Sequence, residues 1–221
     1  MADKEILIFV EGPSDKVFLE AYLYFLEDIP IKNFKVKDVT GKDNLSKRLL
    51  EIEKYDKTLI IFDADKDYES NKKEILSKTQ QKITEEQIFL FPNNQDDGDL
   101  ETLLLEIAKH DEFLKCFEGY LECIKSKEHY KPIKNISKSK WYAYLEVFEL
   151  QNFFKDKRNK NDKKNEEKII IDDKGKIRKE YKEEYEKLKE VIDFNSNSLI
   201  PLKDFLGQFA ENNQKTNLKI F

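Results

Sequence analysis

Two runs in the first third of the chain, 6–10 (ILIFV) and 59–62 (LIIF), are apolar without alternation, and both stop on acid. Glu11 follows the first, and Asp63 and Asp65 follow the second. A strand with no polar face must be covered on both sides, which chains achieve chiefly in parallel sheets layered with helices. The segments between these runs fit that architecture. Residues 14–28 place Val17, Phe18, Ala21, Tyr22 and Phe25 on one side of a predicted helix. Residues 34–39 alternate weakly, as an edge strand would. Residues 44–55 and 68–81 predict two more helices, and 87–93 a fourth strand. The predicted fold class is therefore α/β, a parallel sheet flanked by helices with right-handed crossovers.

Beyond this core, predicted over 1–108, the pattern changes. Residues 98–126 predict one long helix or two shorter ones, and 137–154 carry aromatics at helical spacing. The run 155–168, KDKRNKNDKKNEEK, is polar and mostly cationic with no apolar period. It reads as a solvated, mobile loop, the start of a charged insertion near 155–180, although its lysines could also meet a nucleic-acid backbone. Residues 169–178 suggest a small hairpin, 179–192 a charged helix, and 197–212 a short amphipathic helix that docks on the core. The part 109–221 is thus a largely helical C-terminal extension.

Composition bounds the function. Hydrophobic residues are 39% and charged residues 38%, with 16 Phe and 10 Tyr, which suits a globular chain. A net charge of −5 argues against a non-specific nucleic-acid coat but leaves room for an enzyme that meets phosphate through a metal. No run is long enough to span a membrane, and the first residues lack the apolar region of a signal peptide. Cys116 and Cys123 lie two helical turns apart, too far to bridge, so they are expected as buried or idle thiols. These features fit a cytoplasmic protein. His110 and His129 have no partner spacing that would make a metal set, and Trp141 is expected to pack between helices.

In a parallel α/β sheet the carboxyl ends of the strands share one edge, where ligands bind. Glu11, Asp63, Asp65 and Asp67 then converge there, with alternation putting Asp63 and Asp65 on one side of the chain. Several carboxylates cannot all ionise in a shared site without a compensating charge. Oxygen-only ligands suit Mg²⁺ or Mn²⁺. Lys42, in "GKDN" after the second strand, is placed either to meet a phosphate as a point charge or to sit in solvent. Asp99 reads as a helix cap, while Glu101 starts the same helix at the same edge and is a further candidate ligand.

The stretches "FVEGPSD" and "IIFDADKD" resemble the glutamate motif and the Asp-x-Asp motif of the Toprim fold, the topoisomerase–primase domain. "FPNNQDDGDLETLL" further resembles a family of small stand-alone Toprim-like proteins. The resemblance covers roughly residues 5–105. It implies Glu11 as general acid or base or metal ligand, Asp63 and Asp65 as the metal-binding pair, and Asp67 as the third acid of the topoisomerase pattern. It implies Gly12 as a tight backbone turn beside phosphate. Asp15 becomes a candidate ligand to a second metal, with a helix-dipole acid in a first turn as the equal alternative. The activity implied is a Mg²⁺-dependent phosphodiester enzyme, above all a nuclease on DNA or RNA. The alternative is an inactive Toprim-fold nucleic-acid-binding or regulatory protein that works with a partner chain. The chain is too short for a topoisomerase gate, shows no primase platform and has no P-loop. A haloacid-dehalogenase-like phosphatase fits poorly, because its nucleophilic aspartate would follow the first strand, where Glu11 stands.

Overall fold

The computed structural model describes residues 5–26, 31, 33–154 and 182–210. Four strands, β1 (Ile6–Val10), β2 (Phe34–Asp38), β3 (Lys57–Asp63) and β4 (Ile88–Phe91), form one sheet in the order β2-β1-β3-β4. All three pairings are parallel, with Ile8 level with Val36 on one side and Leu59 on the other. The two unalternating runs are thus the two central strands. At the edge, β2 buries only Val36 fully and keeps Lys35 and Lys37 at its flanks, a charged pattern that discourages further strand pairing.

Period-two alternation sorts the strand side chains onto two faces. Ile8, Val10, Leu59, Ile61, Phe89 and Phe91 face one core, which α1 (Pro13–Phe25) covers. Leu7, Phe9, Ile60, Phe62, Ile88 and Leu90 face the other, which α3 (Tyr68–Lys78) and the segment 42–52 cover. Each fully buried Leu, Ile or Phe contributes roughly 1.5–3 kcal/mol of transfer free energy, so both faces are needed to hold the sheet. The segment 42–52 departs from the expected regular helix. It is a 3-10 turn over Lys42–Arg48 followed by a four-residue helix, α2 (Leu49–Ile52). The Asn44 side chain donates to the Thr40 carbonyl and the Asn44 amide to Gly41, which tightens the start and competes with α-helical bonding.

The C-terminal half adds α4 (Leu100–Glu106), α5 (Asp111–Lys125), α6 (Ile136–Val147), α7 (Lys182–Val191) and α8 (Ile200–Gly207). Of the two readings of 98–126, the structure takes the shorter pair. Between α4 and α5 the backbone turns to the end of α7, where Lys109 donates to Val191 and Asp193 donates to Ile107. Trp141, Tyr144, Leu145, Tyr185 and Leu188 join the same core as β1 and α1. The extension therefore shares a core with one sheet face and is not separately cored. The last segment docks as expected: Leu202, Phe205 and Leu206 are buried, with the Phe205 ring 5.4 Å from Phe89. Cys116 and Cys123 are free and both exposed on α5. His110 stacks on Phe148 at 4.9 Å. The cationic run 155–168 and the suggested hairpin at 169–178 lie outside the described residues. Among the described residues no helix is long and apolar enough to cross a membrane.

Candidate functional site

The carboxyl ends of β1 and β3 lie side by side, and their acids meet there. After β1 the chain turns into α1. Gly12 is extended (φ −141°), a conformation open to any residue, so the expected tight glycine turn is not what it supplies. Its amide instead donates to Asp15 Oδ2 at 2.6 Å, and a Cβ on Gly12 would stand 3.3 Å from that oxygen. This bond folds the Asp15 carboxylate back under the first turn of α1, where it is buried. After β2 the pairing with β1 continues beyond the strand, through Val39 to Val10 and Gly41 to Glu11. Gly41 (φ 98°) makes the left-handed turn that brings Lys42 over the end of β1.

The third element is the loop after β4, which follows a cis Phe91–Pro92 peptide. Asp65 and Gly98 pair there as an isolated antiparallel bridge. This bridge starts α4 beside the end of β3. Asp99 caps α4 through the Thr102 amide at 2.8 Å, as its type predicts. Asp63 Oδ1 accepts the Leu100 amide at 2.8 Å, and Glu101 is buried on the same turn.

The result is a row of acids. Asp63 feels the charges of Asp15, Glu11 and Glu101, and Asp15 feels Glu101 and Glu11. Glu11 feels Asp65 and Lys42, while Glu101 feels Lys138 and Asp99. Asp65 is thus an electrostatic neighbour of Glu11, Glu11 of Asp63 and Asp15, and these two of Glu101, with Lys42 beside Asp65 and Lys138 beside Glu101. Lys42 Nζ bonds Asp65 Oδ2 at 2.9 Å and also Asn71 Oδ1. Lys138 Nζ stands 3.8 Å from Glu101 Oε1.

Burial and like charge push these carboxyls up together. Burial is the largest cause for Asp15, raised to about 7 against the opposing Gly12 amide, with Glu101 and Glu11 adding to it. Asp63 lies well above the usual carboxylate range, through burial and then Asp15 and Glu11. Burial raises Glu11, opposed by Lys42 and reinforced by Asp65. Burial also raises Glu101, opposed by Lys138. Glu11 Oε2 is buried and accepts no hydrogen bond. A carboxylate oxygen in that state is costly unless a cation or a proton meets it.

Among the sequence candidates, Glu11, Asp15, Asp63, Asp65, Glu101 and Lys42 come together. Asp67 does not, because its carboxylate caps α3 by accepting the Ser70 amide at 2.9 Å. Alternation does not set Asp65 either: β3 ends at Asp63, and Asp65 sits in the left-handed region (φ 55°), held by Gly98. Its side chain therefore turns to Lys42. The open groove lined by Lys66, Asp67, Tyr68, Asn94 and Asp97 contains none of the row's acids. Two participants escaped sequence reading. Asn71 donates to the Ala64 carbonyl while it accepts from Lys42, and only its place one turn after the Asp67 cap hinted at this. Lys138 is one of 40 Lys and Arg residues and carried no local signal.

The donor set is all oxygen, which suits a hard divalent cation, and the bare Glu11 oxygen fits one. The row is nevertheless not a finished cage: among the described residues no three His, Cys, Asp or Glu side chains are already gathered to hold a metal ion. Lys42 holds the Asp65 end of the row instead.

No curated protein matches the chain, and no solved structure does. A family model described as a protein of unknown function, DUF3226, matches residues 5–211, and the chain belongs to that family.

Proposed function

We propose that this protein is a Mg²⁺- or Mn²⁺-dependent phosphodiester-bond enzyme of the Toprim type, a nuclease acting on DNA or RNA. One observation carries the reading: the buried, unbonded Glu11 Oε2 lies within a row of acids at the strand ends. Helix capping explains Asp67 and Asp99 completely, but it gives no reason for Glu11 or for a buried Glu101. A purely structural edge would not crowd acids so closely that burial and mutual repulsion raise their affinity for protons. Clusters of this kind are characteristic of sites that bind cations or move protons.

Glu11, Asp63 and Asp65 would hold the cation, with Asp15 and Glu101 available for a second. When bound, such a cation polarises a phosphoryl oxygen and lowers the pKa of attacking water. Glu11, a neighbour of both Asp65 and Asp63, would hold or pass the proton of that water. Lys42, once released from Asp65, would bind a phosphate oxygen as a point charge.

A second reading has its own support. Lys42 already neutralises Asp65, and no ready cage exists among the described residues, as in a protein that keeps the fold and binds nucleic acid with a partner chain without cleaving it. One experiment separates the two. Mn²⁺ binding is measured by calorimetry on the wild type and on the Asp63→Asn, Asp65→Asn double variant, alongside cleavage of single- and double-stranded DNA and RNA. The enzyme reading expects saturable Mn²⁺ binding lost in the double variant, together with metal-dependent cleavage. Equal Mn²⁺ affinity in both proteins would overturn the metal assignment. Metal binding without cleavage of any substrate would favour the second reading.

A further inference from the structure

Lys138 projects from α6 beside Glu101, whereas Lys42 stands beside Asp65. The Lys138 side chain is 55% exposed, whereas the Glu101 side chain below it is buried. At 3.8 Å the pair is beyond hydrogen-bond distance, and the ammonium end stays open to solvent. The ammonium is thus held close to the row without being consumed by it.

The helix that carries it is firmly seated. Trp141, Tyr144 and Leu145 are buried on the inner side of α6. One turn after Lys138, on the same face, the Tyr142 hydroxyl lies 3.4 Å from Ser14 Oγ. The Lys138–Tyr142 face therefore spans the first turn of α4, which bears Glu101, and the first turn of α1, which bears Asp15. It forms a wall along one end of the row, built by the C-terminal extension and not by the sheet.

Resting on the nuclease reading, we propose that Lys138 is a substrate-binding residue that takes a backbone phosphate of a polynucleotide laid along the acid row. A row of carboxylates repels a polyanion, so cations must stand where neighbouring phosphates fall. Lys42 stands beside Asp65 and Lys138 beside Glu101. A polynucleotide strand offers a separate phosphate to each ammonium, whereas a phosphomonoester has only one phosphate to offer. This selects a polymer over a small phosphate ester as the substrate class.

The test uses short fluorescein-labelled single strands of DNA and of RNA, with Ca²⁺ in place of Mg²⁺, and reads anisotropy across a series of salt concentrations. The proteins are the full-length wild type, Lys138→Gln and Lys138→Arg, with thermal unfolding and Mn²⁺ calorimetry run on each. Loss of one phosphate contact lowers the slope of log affinity against log salt by about 0.7 for a single strand. The proposal expects that loss in Lys138→Gln and a wild-type slope in Lys138→Arg, with unfolding unchanged and Mn²⁺ bound no more weakly. A Lys138→Gln slope equal to the wild type, in a protein that binds the strands, overturns the assignment of Lys138 alone. Wild-type protein that binds neither strand overturns the nuclease reading, and this proposal with it.

Discussion

Asp65 and Gly98 exchange two backbone hydrogen bonds, Asp65 N–H to Gly98 at 2.7 Å and Gly98 N–H to Asp65 at 2.8 Å. This pair fastens the loop after β4 to the end of β3 and holds Asp65 out of the strand's alternation. The juxtaposition of Glu101 with Asp63 depends on it, since α4 begins two residues after Gly98.

Gly98 should not tolerate a side chain. Its φ is 147°, and a Cβ would meet Pro92 Cδ at 3.0 Å. Gly98→Ala is expected to destabilise by about 1–3 kcal/mol through backbone strain and that clash. Gly119, on the exposed side of α5, is the control, because a methyl group there would meet nothing within 4 Å. Gly119→Ala should stabilise by about 0.5–1 kcal/mol through lower chain entropy in the unfolded state. Urea unfolding of both variants checks the pair. Equal effects at the two sites would refute the role given to the bridge.

Much of this was legible in the sequence, for a physical reason. The central strands lack alternation because both faces are covered, and that is a composition signal. Glu11 and Asp63 stand out because charge at the end of a buried strand is expensive. Asp67 was indistinguishable from them by type and spacing, because a helix cap and a metal ligand both call for a short carboxylate. What separates them is the direction of one side chain. Asp65 likewise depends on a left-handed residue whose partner lies far along the chain. Lys138 is nearly invisible in sequence, since only the docking of α6 through Trp141 brings it to Glu101.

Stability in the absence of metal should fall as pH rises. Asp15 binds its proton more tightly folded than unfolded, with a folded pKa of about 7 against 3.8. Its contribution is fully favourable below 3.8 and is lost as pH climbs through 7. Asp63, Glu11 and Glu101 shift in the same direction. Asp15→Asn keeps an acceptor for the Gly12 amide but has no proton to lose. In EDTA, the melting temperature of Asp15→Asn relative to wild type should rise by several degrees between pH 5 and pH 8, at roughly 2–4 °C per kcal/mol. A difference independent of pH would show that the folded protein does not raise the affinity of Asp15 for its proton.

Lys42 is paired with Asp65 and would compete for it with the proposed cation. Its side chain is only 12% exposed and is shared between Asp65 and Asn71. Lys42→Met keeps much of the stem's bulk and removes the charge. Without metal the variant should be less stable, because the acid row loses a counter-charge. Its Mn²⁺ affinity should rise at least about fivefold, the equivalent of about 1 kcal/mol for one charge pair near 4 Å. Calorimetry and melting in parallel read the two effects. Weaker Mn²⁺ binding would mean that the lysine supports the cation site and does not compete for it.

Glu11→Gln probes the residue on which the functional reading turns. The change keeps shape and removes one negative charge from the centre of the row. Glu11 Oε2 makes no hydrogen bond, the backbone bonds from Asp63 and Lys42 can pass to the carbonyl oxygen of the glutamine, and relief from Asp63, Asp15 and Asp65 offsets what is weakened. The folded protein should therefore be at least as stable as the wild type in EDTA at pH 8. Function should respond in the opposite sense. A glutamine neither neutralises a divalent cation nor carries a proton, and general acid–base participation alone supplies about 10²–10⁴-fold in rate. Metal-dependent cleavage should thus fall by at least about 10²-fold on whichever nucleic acid the wild type cuts. Both proteins need identical purification, so that equal residual cleavage can be assigned to a contaminant. A stable variant with unchanged, metal-dependent activity that survives further purification would remove Glu11 from the chemistry and leave it as a buried acid of the fold.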